Sequence, residues 1–148
     1  MTEAEWLLFE DPLGVLEFIA DKVSERKLRL FAAACCRRVE YLFPDEDRRK
    51  CLDVVDRWAE GLATVQELEA AISAAAVGWE PEGETEIIVR ENAVDALLLI
   101  LRNYDNPLEA ARGASLRTQY AASASGKSHT DEGKAQVRML RDIVGADV

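Results

Sequence analysis

Residues 26–43 read RKLRLFAAACCRRVEYLF and residues 44–62 read PDEDRRKCLDVVDRWAEGL, and together these two stretches decide the fold. In each, apolar residues recur at alternating spacings of three and four, the pattern of a helix that packs on a partner. The first set is Leu28, Phe31, Cys35, Val39 and Leu42, and the second is Cys51, Val55, Trp58 and Leu62. Because few residues separate the sets, we expect an antiparallel αα-hairpin whose first helix ends at Pro44 and whose second begins after Asp45.

Signals for helix starts continue on both sides of this hairpin. Thr2 to Glu5 and Thr64 to Glu67 have the Thr-x-x-Glu form of a capping box. Asp11 and Ser24 are suitable N-cap residues, and Pro12 suits a first helical turn. We therefore expect an all-α fold with one helical domain over residues 1–148, a bundle of about six or seven helices with αα-hairpins.

Two non-helical stretches interrupt the pattern. An acidic loop is expected at 79–86, where Pro and Gly occur among four glutamates, and a flexible connector at 121–130, which is rich in Ser, Ala and Gly. The segment between them includes 87–102, a helix expected to be buried on many sides, although its β-branched start also suits a short strand. The last helix is expected at about 131–144, ended by Gly145.

Three phrases of the sequence occur together in a known group of proteins. They are MTEAEWL at 1–7, RKLRLFA at 26–32 with CCRR at 35–38, and LRDIVG at 140–145. On these phrases the chain resembles an uncharacterised family of bacterial all-helical proteins with no known function. The resemblance implies a shared helical fold and supplies no catalytic or binding residue.

The charge of the chain bears on its partners and its location. The net charge is -10, which opposes binding to phosphate backbones, so nucleic acid is not an expected partner. Residues 24–50 differ, with eight Lys or Arg and five Asp or Glu. With no apolar run near 20 residues long and no basic start to an export signal, we expect a cytoplasmic protein that does not enter a membrane.

The residue types that most often do chemistry are scarce. Cys35, Cys36 and Cys51 lack metal-site spacing, and we expect reduced, buried thiols that serve as small apolar side chains. His129 is the single histidine and falls in the predicted connector, so neither a zinc site nor a His-based catalytic set is expected. No cofactor or catalytic residue is assigned. The three tryptophans are expected to pack in the core.

Four residues remain as candidates for binding a ligand: Arg37, Arg38, Asp95 and Arg102. The arginines of the Cys-Cys-Arg-Arg block point away from the core stripe and suit ion pairs with neighbouring helices. Asp95 lies among apolar residues, where a carboxylate needs a partner such as an arginine.

These observations favour a non-enzymatic helical module for protein interaction or regulation, acting on an unknown protein partner or by self-association. One alternative is an enzyme or small-ligand domain in which Asp95 and nearby arginines meet in an internal polar pocket. A second is weak nucleic-acid binding by the basic 26–50 region, which requires its cations to share one face. Those cations are Arg26, Lys27, Arg29, Arg48, Arg49 and Lys50.

Overall fold

The computed structural model describes residues 2–145, and the side chains of all of these except Glu3, Trp6 and Leu7. The helices are α1 (Glu3–Leu8), α2 (Pro12–Ile19), α3 (Glu25–Arg38), α4 (Glu46–Arg49), α5 (Cys51–Ala59), α6 (Val65–Ala76), α7 (Glu84–Arg102), α8 (Pro107–Ala124) and α9 (His129–Val144), with a 3₁₀ turn at Glu40–Leu42. Over this range there is no β-strand, and seven helices have eight residues or more. The predicted all-α fold is confirmed. No helix in the described part of the chain is long and apolar enough to cross a bilayer.

Side-chain caps explain where most helices begin. Each cap accepts a hydrogen bond from a backbone N–H of the first turn, which has no partner inside the helix. Thr64 and Glu67 form the full reciprocal capping box at the start of α6. The other caps are Thr2, Asp11, Ser24, Asp45, Asn106 and Ser128.

Helix α3 lies at the centre of the bundle. It packs against α5, α7, α8 and α9, while the two longest helices, α7 and α8, form an extensive hairpin of their own. Small side chains permit this crowding, since Ala32, Ala33, Cys35 and Cys36 of α3 are all buried. The remaining core is aliphatic and aromatic, and Phe31 is fully buried within it.

The α3–α5 hairpin forms as predicted, with shorter helices than expected. Helix α3 ends at Arg38 and not at Pro44, because the chain forms the tighter 3₁₀ turn at Glu40–Leu42 before it reaches Pro44. The second helix begins after Asp45 as predicted, through α4 and α5. It ends before Leu62, which is 70% exposed, because Gly61 takes a left-handed conformation with φ of 76°.

The flexible connector predicted at 121–130 is wrong over most of its length. Helix α8 continues to Ala124, with Ala121 and Ala122 fully buried, and α9 begins at His129. Four residues therefore join the two helices where ten were expected. Alanine is the strongest helix former, so an Ala-rich segment with a surface to pack on stays helical. The last helix likewise begins at 129, two residues before the predicted start.

The acidic loop predicted at 79–86 is shorter, because Glu84 already begins α7. Acidic residues are favourable in a first helical turn, and α7 has Glu84 and Glu86 there. Residues 87–89 belong to α7, so the strand alternative is wrong. Trp79 is buried as predicted, although it lies in the loop, and it packs against Phe43 with ring centroids 5.5 Å apart. Trp58 is buried as predicted too, and the Trp6 side chain lies outside the described residues.

Candidate functional site

The two arginines of the Cys-Cys-Arg-Arg block contact different neighbours of α3. Arg37 reaches α5, where Nε donates to Asp56 at 2.9 Å and Nη2 also bonds to Asp53. Its Nη1 donates to Glu40 at 3.2 Å. Burial alone would lower the pKa of Arg37, but the hydrogen bonds to Asp53 and Asp56 raise it above the ordinary value. Arg37 therefore joins α3 to α5 as a fixed cation.

Arg38 points to α9, because adjacent helical residues lie about 100° apart around the axis. Its Nε and Nη2 donate to the two oxygens of Glu132 at 2.6 and 2.9 Å, a bidentate pair. Glu132 is 4% exposed, and hydrogen bonding to it raises the pKa of Arg38. The predicted pairing of both arginines with carboxylates on neighbouring helices is confirmed.

Glu132 also belongs to a buried polar network between α8 and α9. Gln136, one turn later, donates to Glu132 at 3.3 Å and to the hydroxyl of Thr118 at 2.9 Å. Ser115 donates to Gln136 Oε1 at 2.8 Å, and Gln119 donates to the backbone oxygen of Ser115 at 3.1 Å. Because polar groups in a core must be paired with each other, the network sets the register of α8 against α9.

The sequence analysis missed this network, although a signal was present. Gln136 falls in phase with the apolar residues Leu140 and Val144 on α9, four and eight positions later. Ser115 and Gln119 are likewise one turn apart on the small-residue face of α8. Polar residues in phase with a buried stripe need partners inside the fold, and the two sets meet here.

A groove of about 530 Å³ lies over α3 between α5 and α9, and we call it the α3 groove. Its apolar surface consists of Leu30, Ala33, Ala34, Met139 and Ile143. Its charged edge consists of Arg37, Arg38, Asp56 and Glu60. Arg37 is paired with Asp53 and Asp56 and Arg38 with Glu132, so carboxylates outnumber arginines at this edge.

Asp95 and Arg102 lie outside the α3 groove. Asp95 lines a separate cavity of about 250 Å³ with Arg90, whose guanidinium donates to the Trp79 backbone oxygen at 3.1 Å. Among residues 2–145, Asp95 has neither an ion pair nor a hydrogen bond, so its predicted pairing with an arginine is wrong. It is half-buried and open to water, which removes the need for a partner. Arg102 is exposed at the end of α7.

The four candidate residues therefore do not converge. Arg37 and Arg38 line one groove, Asp95 lines another cavity, and Arg102 borders neither. An internal pocket that combines Asp95 with these three arginines is not formed.

The six basic residues of the 26–50 region are also divided. Arg26 bonds to Glu60 at 3.0 Å and Arg29 to the backbone oxygen of Ala59 at 3.3 Å, both at the end of α5. Lys27 donates to the backbone oxygen of Val144 at the end of α9. The other three cations are residues 48–50, which precede the first residue of α5. Arg26 and Arg29 therefore contact the end of α5, whereas residues 48–50 lie at its start.

The three cysteines are free and buried, as predicted. Burial raises the pKa of Cys51 to about 12 and the pKa of Cys35 and Cys36 well above the ordinary thiol value. Neutral thiols are poor nucleophiles and poor metal ligands. Within residues 2–145, no group of three or more His, Cys, Asp or Glu side chains is arranged to hold a metal ion.

Comparison of the chain with protein-family models, with curated proteins and with solved structures finds no match in any of the three. The resemblance to the bacterial helical family stays a prediction. The α3 groove and the cavities of this fold are therefore the basis for a functional proposal.

Proposed function

We propose that this protein is a non-enzymatic interaction module that binds an amphipathic helix of a protein partner in the α3 groove. The observation that carries the proposal is the low floor of the groove, where Ala33 and Ala34 lie between Met139 and Ile143 of α9 and the side chains of α5. A helix laid on small residues approaches closely and contacts three helices at once, which is the helix-in-groove mode of recognition.

The dimensions of the groove set the expected strength of binding. Leu30 and Arg37, both of which line it, are seven residues apart on α3, which corresponds to about 10 Å or two helical turns. A partner helix of that length presents two or three apolar side chains. The interface is then smaller than the ~1,600 Å² typical of stable complexes, so we expect a transient complex with a Kd of tens of micromolar.

The charge beside the groove determines which kind of partner helix we expect to bind. Along the α5 side, the carboxylates of Asp53, Asp56 and Glu60 are 66, 45 and 41% exposed. The chain as a whole has a net charge of -10, which repels a second copy and attracts a cation. The proposed occupant is therefore a helix with an apolar stripe and basic flanks, from a different protein.

A peptide titration with matched variants tests this proposal. The probe is a labelled 14-residue peptide of Leu and Lys with Leu at helical spacing, followed by fluorescence anisotropy at low salt. Ala34→Trp fills the groove, whereas Ala74→Trp places the same side chain on the exposed face of α6. We expect Ala34→Trp to weaken binding at least tenfold and Ala74→Trp to leave it unchanged.

Equal affinities of the two variants would refute the groove as the binding site. Sedimentation of the unbound protein provides the second measurement. If the unbound protein is a dimer and Ala34→Trp abolishes that dimer, the groove binds a second copy of this chain. That result would refute the proposed occupant.

The two alternative functions have less support. An enzyme or ligand site around Asp95 lacks Arg37, Arg38 and Arg102, since Arg90 is the arginine that lines its cavity. For nucleic-acid binding, the cations at 26–29 and at 48–50 lie towards opposite ends of α5, and the net charge of -10 opposes a phosphate backbone.

A further inference from the structure

We propose that oxidation of Met139 by a peroxide weakens helix binding in the α3 groove and so regulates it. The inference rests on the proposed function and adds a means of control at the same site. Met139 borders the groove together with Ile143, one turn later on α9, and with the small residues Ala33 and Ala34 of α3. A chemical change at Met139 therefore occurs on the surface that the partner helix would cover.

Met139 is the sulfur-containing side chain most open to a dissolved oxidant. The chain has two methionines, and Met139 is the only one among residues 2–145. It is partly exposed. The cysteines are not, since Cys35, Cys36 and Cys51 are 0, 1 and 4% exposed. An oxidant in solution therefore meets the thioether of the groove before it meets the thiols of the core.

The protonation state of the thiols protects them a second time. Peroxides react with the thiolate form of cysteine. Burial raises the pKa of Cys51 to about 12 and the pKa of Cys35 and Cys36 well above the ordinary thiol value, so all three are protonated at neutral pH. A thioether has no proton to lose, and its oxidation does not require ionisation. Oxidation is thereby directed to Met139.

The reaction transfers one oxygen atom. The sulfur lone pair of Met139 attacks one oxygen of hydrogen peroxide, an S–O bond forms as the O–O bond breaks, and water leaves. The thioether is oxidised to a sulfoxide and the peroxide is reduced to water. Methionine sulfoxide reductases reverse the change, in which two thiols of the reductant become a disulfide and the oxygen leaves as water. The modification is therefore reversible.

The sulfoxide makes one part of the apolar floor polar. Its oxygen is a hydrogen-bond acceptor, and in the unbound protein water satisfies it. An apolar side chain of the partner helix displaces that water and brings no donor. The side chains of Ile143, Ala33 and Ala34, which line the groove beside Met139, have no donor either. We expect the Kd of the partner helix to rise about tenfold, because binding leaves a buried acceptor unsatisfied.

A peptide titration before and after treatment with hydrogen peroxide tests this inference. The probe is the labelled peptide of Leu and Lys used for the α3 groove, and peptide mapping by mass spectrometry shows which side chains have gained oxygen. We expect oxygen on Met139, no oxygen on the three cysteines, and a Kd about tenfold higher. Treatment with methionine sulfoxide reductases should restore the original Kd.

Two variants separate oxidation in the groove from oxidation elsewhere. Met139→Leu keeps the apolar volume, so it should bind the peptide with a Kd changed less than about twofold and should not respond to peroxide. Adding Leu62→Met places a thioether at a position that is 70% exposed and does not line the groove. Peroxide should oxidise this thioether without changing the Kd. Met1 is present in every protein compared, so its oxidation does not explain a difference between them.

The outcomes distinguish this inference from the function on which it rests. Equal affinities of the untreated protein and of the protein oxidised at Met139 would overturn the inference and leave the groove as a helix site. A peroxide response that persists in Met139→Leu, or cysteines that gain oxygen before Met139, would also overturn it. If the untreated protein does not bind the peptide, the α3 groove is refuted as a helix site and the inference is refuted with it.

Discussion

The bidentate pair of Arg38 and Glu132 gives the sharpest prediction for stability. The perturbation is Glu132→Ala, which removes both acceptors of Arg38 and one acceptor of Gln136. Removing one partner of a buried ion pair typically costs about 3–5 kcal/mol, because a charge is left in the interior. The Arg38 side chain is 35% exposed, so water recovers part of this loss. We expect the free energy of unfolding to fall by about 2–3 kcal/mol.

Urea unfolding followed by far-UV circular dichroism measures this loss. The control is Glu109→Ala, since Glu109 lies 3.7 Å from Arg112 in a pair whose side chains are about half exposed. Its removal should cost less than about 1 kcal/mol. A third variant, Arg38→Met with Glu132→Leu, removes both charges and should be more stable than Glu132→Ala alone.

The reasoning would be refuted if Glu132→Ala and Glu109→Ala lost the same stability. It would also be refuted if the double replacement were less stable than Glu132→Ala, because the unpaired Arg38 charge would then not be the cause of the loss.

The cysteines, one glycine and the net charge give the remaining tests. Cys35 and Cys51 should resist thiol reagents at neutral pH without denaturant, and Cys51→Ala should cost about 1 kcal/mol through lost packing; rapid labelling of the native protein would contradict this. Because burial raises the thiol pKa values in the folded state, their contribution to stability is complete below about pH 8 and is lost as the pH rises above the unfolded-state pKa of about 8.5. Urea midpoints at pH 7 and pH 10 measure that fall, which a Cys51→Ala variant should show less strongly. Gly113→Ala should lower the melting temperature although alanine favours helices, because the added Cβ would lie 2.9 Å from Leu99 Cβ. Duplex DNA should show no Kd below tens of micromolar by anisotropy at about 150 mM salt, and a salt-sensitive submicromolar Kd would contradict the argument from the net charge of -10.

Helix starts were predictable because a cap is a local interaction. Asp11, Ser24 and Thr64 each bond to a backbone N–H within three residues, so their effect does not depend on the rest of the fold. Apolar stripes were predictable for the same reason, since residues three and four apart share a helix face in any fold. Cys35 and Cys51 were correctly placed in the core on this basis.

Helix ends were predicted less well, because packing decides how far a helix continues. Composition at 121–130 favoured a flexible segment, yet α8 continues to Ala124 because Ala121 and Ala122 are buried. In the opposite direction, the apolar spacing extended the second helix to Leu62, which has no surface to pack on and is exposed. Burial depends on contacts with residues that are distant in the sequence, and the apolar pattern of one segment carries no information about those contacts.

The candidate sites depended even more on distant contacts. The Cys-Cys-Arg-Arg block predicted two arginines that point away from the core and form ion pairs. Both arginines do pair with carboxylates. Their partners are 19 and 94 residues away in the sequence, so the identity of those carboxylates came from the structure. Asp95 was expected to need a partner because its sequence neighbours are apolar, but its position on α7 leaves it open to water.

The sequence by itself determined the all-α class, most of the helix starts and most of the core stripes, because caps and apolar periodicity act over a few neighbouring residues. Tertiary structure decided the helix ends, the polar network of Gln136 and the floor of the α3 groove. Each of these requires side chains from two or three helices to meet in space. The physical reason is that burial and hydrogen-bond satisfaction are properties of the packed chain, whereas helix propensity and capping are properties of a few neighbouring residues.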